Sequence, residues 1–222
     1  MTGVQTCALP ISHLLHRSKL FGTAGTVLAV VVMEAVTGDE TGLIKVVDIS
    51  KREFLTYGSQ DRDSSVEGLS WLANGYKPDT FAVLRANRKL EAWRYEPGLI
   101  TLLTSIELPL IESPLSVSLI DANRVVCVGK SGNVSIVKLH DESNGAQAVN
   151  QKKNSPTKWD ILGSFQVKGP VGACATCNGG AAFGGSENDV VIYDTTTQQS
   201  TWSARNVPYD TLRLRVPICE SC

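Results

Sequence analysis

Cysteine spacing offers the first chemistry to weigh. Two Cys-x-x-Cys pairs, Cys174 with Cys177 and Cys219 with Cys222, invite a zinc reading, because paired thiolates at that spacing chelate a metal. Forty-one residues separate the pairs, against roughly 15 to 20 in ribbon-type sites. Cys174 also falls in a stretch that reads as a strand, where residues three apart point to opposite faces and do not meet on one ion. A redox pair would open a helix in a βαβ setting, and no such pattern surrounds either one. Cys127 and Cys174 are better read as buried thiols that pack as small apolar groups.

Other catalytic constellations fare no better. The glycines of GTAGT (22–26) precede an apolar run instead of following a strand, and they lack the spacing that brings backbone close to a pyrophosphate. No nucleophile-elbow or phosphate-loop motif occurs. His13, His16 and His140 read as surface histidines, and no two carboxylates are spaced as a general acid and base. The expectation is a non-enzyme with no cofactor and no metal. Trp71, Trp93 and Trp202 read as packing residues, whereas Trp159, beside the lysine-rich QKKNSPTK (151–158), reads as part of a solvated loop, with a partner contact as the alternative.

The elements that would have to position such groups are strands. The chain has 222 residues, 42% apolar and 19% charged, a composition that buries a large core. Its net charge of −1 argues against gripping phosphate backbones by bulk electrostatics. Four segments superimpose: GLIKVVD (42–48), RKLEAWR (88–94), GNVSIVK (132–138) and NDVVIYD (188–194). Each alternates apolar and polar residues and follows a polar turn. Their last residues fall at 48, 94, 138 and 194, so the steps are 46, 44 and 56. The longest step holds the polar stretch 141–158, read as a loop insertion.

Each segment has an apolar run before its turn: AVVVMEAV (29–36), TFAVLR (80–85), RVVCVG (124–129) and GGAAFGG (179–185). Three have a further strand upstream, VEGLSWL, SPLSVSLI and PVGACAT; all four have one downstream, REFLTYG, LITLLTSIEL, ILGSFQV and QSTWSA. Four short antiparallel strands per repeat of this length make a propeller blade, and Asp48 and Tyr193-Asp194 stand where a WD repeat carries its dipeptide. The expected fold is an all-β WD-repeat propeller with about four blades and, from residue 207, the start of a fifth in a seven-bladed ring. The rival is a β-sandwich with meander connections. The apolar run 26–35 is interrupted by Glu34 and is too short to span a bilayer, so it is read as a buried strand rather than a signal sequence.

Three stretches go beyond a generic WD pattern: GDETGLIKVVDI (38–49), GGSENDVVIYD (184–194) and SARNVPYDTLRLRVPI (203–218). Together they resemble the nucleolar WD-repeat family of large-subunit ribosome assembly factors, known as Nsa-one in yeasts and as WD repeat-containing protein seventy-four in animals. The resemblance runs from about Val30 to Ile218. It implies a seven-bladed propeller in the nucleus and nucleolus that belongs to early precursors of the 60S particle, bound to their proteins and to rRNA and released with an AAA-type ATPase. It puts partner binding on Arg205, Asn206, Tyr209, Asp210, Arg213 and Arg215. Read from the residues, Leu212, Leu214 and Val216 alternate with Arg213 and Arg215, giving one apolar and one basic strand face. The alternative is a WD-repeat scaffold of signalling or ubiquitin transfer. Residues 1–11 read as adapter-derived and 219–222 as a non-native tail, which leaves 12–218 as a partial propeller.

Overall fold

The computed structural model describes residues 27–31, 34–48, 53–58, 64–72, 79–140, 157–177, 179–185 and 190–204. Within them lie sixteen strands in four sheets. The first sheet holds β1 (Val27–Val31), β2 (Glu34–Gly38), β3 (Ile44–Asp48) and β4 (Glu53–Gly58). The second holds β5 (Val66–Trp71), β6 (Thr80–Arg85), β7 (Lys89–Glu96) and β8 (Leu99–Glu107). The third comprises β9 (Pro114–Leu119), β10 (Arg124–Gly129), β11 (Asn133–His140) and β12 (Lys158–Gln166). The fourth comprises β13 (Val171–Cys177), β14 (Gly180–Gly185), β15 (Val190–Asp194) and β16 (Gln199–Ala204). In every sheet the strands run in chain order, each antiparallel to the next.

The four superimposable segments are the third strands β3, β7, β11 and β15, so the repeat is a blade. The first strands touch one another from sheet to sheet, as do the fourth strands of the first three sheets, so the sheets fan about one side. Close approach on that side requires a bare backbone at Gly68 in β5, where a Cβ would stand 2.7 Å from the amide nitrogen of Val117 in β9.

Packing follows from alternation. On β6 and β7 one face carries Phe81, Val83, Trp93 and Tyr95, which pack on Val36, Ile44 and Val46 of the first sheet. The other face carries Ala82, Leu84, Leu90 and Ala92, which pack on Val125, Cys127, Val137, Leu139 and Trp159 of the third. The third sheet turns Val126, Val128, Val134 and Ile136 toward Phe183, Cys174 and Ala181 of the fourth. A sheet with two apolar faces is stable only when both are covered, and here the neighbouring blades cover them.

Two sequence expectations are corrected. The apolar run at 29–36 is not one strand: it divides into β1 and β2, a hairpin in which Val31 pairs with Glu34. The reversal gives two strands of five residues each, with Glu34 opening the second. Lys158, read as the end of the insertion, instead opens β12 opposite His140.

One feature repeats that no residue pattern announced. Each outer strand carries an extra residue opposite the same point of the third strand: between Val46 and Val47, Ala92 and Trp93, Ile136 and Val137, and Ile192 and Tyr193. Bulges of this kind twist an exposed edge and interrupt its ladder, which blunts pairing with a foreign strand.

Candidate functional site

A buried charge that ties two blades together is Arg85, at the end of β6 with 0% exposure. Its Nη1 donates to the carbonyl oxygen of Gly42 at 2.9 Å and of Ser64 at 3.2 Å, which ties the turn of the first sheet to the second. Its Nε lies 2.9 Å from Oε2 of Glu91, and the Trp93 indole N–H donates to that same oxygen at 2.8 Å. Glu91 and Trp93 stand two apart on β7 and so share the face of Arg85. A buried charge held by groups of both blades acts as a blade-to-blade clamp.

Cys127 and Cys174 are free, buried thiols. Burial pushes the Cys174 thiol up to about 12, and burial together with the Cys174 thiol pushes Cys127 up as well. Such thiols are poor nucleophiles and poor metal ligands. Among the described residues no group of three His, Cys, Asp or Glu side chains is placed to hold a metal ion. Cys219 and Cys222 lie outside the described residues.

At one end of the third sheet charges gather on a single face. Arg124, Lys138 and Asp160 are cross-strand neighbours, and His140 pairs with Lys158. Lys158 Nζ is 2.7 Å and His140 Nε2 is 3.2 Å from the Asp160 carboxylate. The Lys158 hydrogen bond, helped by the charges of Lys158, His140 and Lys138, holds the Asp160 carboxyl below its ordinary range. Beside it, burial works to raise Asp121, but the Arg124 guanidinium at 2.5 Å outweighs that and lowers it. Both carboxylates are thus engaged by neighbouring cations, a solvated lattice of ion pairs.

The residues singled out for partner binding, Arg205, Asn206, Tyr209, Asp210, Arg213 and Arg215, lie outside the described residues, which reach Ala204 at the end of β16. Trp159 is corrected: it is 2% exposed in β12, paired with Leu139 and packed in the core between the second and third sheets, so it presents nothing to a partner. The polar tract before it had suggested a loop, but the strand begins at Lys158. What sequence reasoning passed over is the exposed apolar surface, Leu99, Leu110, Ile161 and Leu162. Ile161 and Leu162 are adjacent yet both exposed because Leu162 is the bulged residue of β12.

Four-stranded meanders stacked face to face, with their first strands gathered on one side, define a WD40-type β-propeller, of which the described residues form four blades. Solved structures similar to the chain bear the same name. The crystal structure of RRP9 WD40 repeats aligns with a TM-score of 0.60 and 14% identity, over 78% of this chain and 46% of that one. The structure of U3-55K gives the same figures, 0.60 and 14%, over 78% and 46%. The WD40 β-propeller domain of Doa1 aligns at 0.59 with 12% identity, over 80% of this chain and 52% of that one. The chain thus spans about half the length of these propellers. No protein-family model and no curated protein matches it.

Proposed function

We propose that the chain is part of a non-enzymatic docking platform in assembly of the 60S ribosomal subunit and in rRNA processing. The observation that carries this reading is the stretch SARNVPYDTLRLRVPI (203–218), which continues directly from the last strand of the fourth blade. It resembles the nucleolar assembly-factor family in residue order, and its alternation sets Arg213 and Arg215 on one strand face. Arginine is suited to carboxylate and to phosphate, so this face serves pre-60S proteins and rRNA alike. By the same resemblance an AAA-type ATPase releases the protein, and the nucleolus is where it acts. The joint replacement Arg213→Glu and Arg215→Glu in the intact protein tests the reading. Loss of association with large-subunit precursors at unchanged expression is expected; undiminished association contradicts it.

A second reading, a WD-repeat scaffold in signalling or ubiquitin transfer, is favoured by one fact. Propellers of different names, RRP9 and Doa1, align with nearly equal TM-scores of 0.60 and 0.59. A fold shared that evenly does not choose a partner.

A further inference from the structure

One cross-strand pair recurs in all four blades, and in the last of them it stands half open. It joins the residue just before the bulge on the third strand to its partner on the second. The pairs are Val46 with Val36, Ala92 with Ala82, Ile136 with Val126, and Ile192 with Ala182. In the first three blades both members are at most 1% exposed, because the following blade packs on them. Ala182 and Ile192 are only half-buried. They lie on the face turned away from the third blade, opposite to Phe183 and Tyr193. An apolar sheet face of this kind calls for a cover.

The chain itself carries a segment that fits. From the outer strand of one blade to the inner strand of the next run residues 59–65, 108–113 and 167–170, which are seven, six and four residues. β16 ends at Ala204, and seven residues, 205–211, separate it from the alternating stretch Leu212-Arg213-Leu214-Arg215-Val216. Seven extended residues reach about 23–25 Å, whereas the four strands of a blade are only about 14 Å across. Inner strands turn an apolar set toward the blade before them. Leu69 and Trp71 join the cluster of Val36 and Val46, Val117 joins that of Ala82 and Ala92, and Cys174 joins that of Val126 and Ile136. Alternation gives Leu212, Leu214 and Val216 as a set of the same kind.

We infer that residues 212–216 of this chain seat on the fourth blade as the inner strand of a further sheet. Leu212, Leu214 and Val216 meet the row Ala175, Ala182 and Ile192, which runs outward from β13 across the half-open face. Two of its three side chains are single methyl groups, which leave room for a leucine. The seating also fixes where two arginines stand. Ser70, Ser116 and Ser118, the alternate residues of the inner strands β5 and β9, are half-buried. Arg213 and Arg215 take the same position, with their charged ends in water on the side where the first strands gather. The inference follows from blade geometry and does not rest on the ribosomal reading.

Hydrogen–deuterium exchange on the full chain, read by peptide mass, tests it. The amides of 212–216 are expected to exchange about tenfold or more slowly than an unstructured chain, equally at low and high protein concentration. Ile192→Asp is expected to abolish that protection, whereas Ile161→Asp, at an exposed apolar site on the third blade, leaves it unchanged. Leu214→Ser is the reciprocal variant, since it alters no residue of the described sheets. It is expected to speed exchange in 180–185 and 190–194 about threefold and to leave 81–92 as before. The inference is overturned by 212–216 exchanging as unstructured chain, or by protection that survives Ile192→Asp. Protection that grows with protein concentration overturns it too, and assigns the face to a second copy. So does a Leu214→Ser chain whose fourth blade exchanges like wild type, which decides the matter even where Ile192→Asp melts that blade.

Discussion

Removing one member of the Arg85–Glu91 pair strands the other in a place without water. The Arg85 and Glu91 side chains are 0% and 4% exposed, so Glu91→Ala leaves a guanidinium whose remaining contacts include two neutral carbonyls, those of Gly42 and Ser64. Breaking a buried pair from one side costs about 3–5 kcal/mol. Arg85→Met leaves Glu91 with the Trp93 indole as a donor and deletes both carbonyl bonds, so its cost falls in the same range. Set against a total stability of about 5–15 kcal/mol, either change removes about a fifth or more of the margin. Replacing both by methionine leaves no stranded charge, and such exchanges are neutral or stabilising by about 1–4 kcal/mol. The coupling between the two sites is therefore expected to exceed about 3 kcal/mol. Urea unfolding followed by tryptophan fluorescence measures it, since Trp93 touches the pair and responds to its loss. Single variants within about 1 kcal/mol of wild type, or a double variant as damaged as the sum of the two, would refute the clamp.

Other perturbations probe other parts. Gly132→Ala places a Cβ 2.6 Å from the carbonyl oxygens of Gly169 and Val167 at a φ of 93°, whereas Gly98→Ala, at a φ of 84°, meets open space. Both place a side chain in left-handed backbone, so a larger loss of unfolding free energy in Gly132→Ala, by more than about 1 kcal/mol, isolates the clash between blade and connection. Acid should weaken the fold through Asp160 and Asp194, whose carboxyls are held down by Lys158 and by the N–H groups of Thr197 and Thr196 respectively. Their folded values lie below the ordinary 3.8, so the stabilisation is full above that pH and is lost as pH falls through the folded values. A urea midpoint series from pH 6 to 2 is expected to fall less steeply below about pH 4 in Asp160→Asn than in wild type. Alkylation of Cys127 and Cys174 by iodoacetamide at pH 8, read by peptide mass, is expected only at denaturing urea concentrations, because both thiols are buried with raised pKa.

Much of the blade was legible in the residues, for a simple reason. In GLIKVVD, RKLEAWR, GNVSIVK and NDVVIYD a polar turn resets the chain and alternation then assigns the faces, which makes β3, β7, β11 and β15 plain. Alternation fails where apolar residues run on without a break, so the β1–β2 reversal inside 29–36 was hidden. It also fails at a bulge, a backbone event that leaves Leu162 looking like any other strand residue. Arg85 and Glu91 are ordinary charged residues of TFAVLR and RKLEAWR, and only the antiparallel register of β6 on β7 brings them together out of water. Arg88 is likewise ordinary as a residue type and becomes unusual only through its φ of 69°. Arg213 and Arg215, the most distinctive of the residues in sequence, follow the last described strand.

The most direct test of the account is the sedimentation of the tagged intact protein through a sucrose gradient of nuclear extract. Co-migration with precursors of the large subunit, and absence from mature ribosomes, is the predicted result. A protein confined to light fractions, or spread over mature ribosomes and precursors alike, would contradict it.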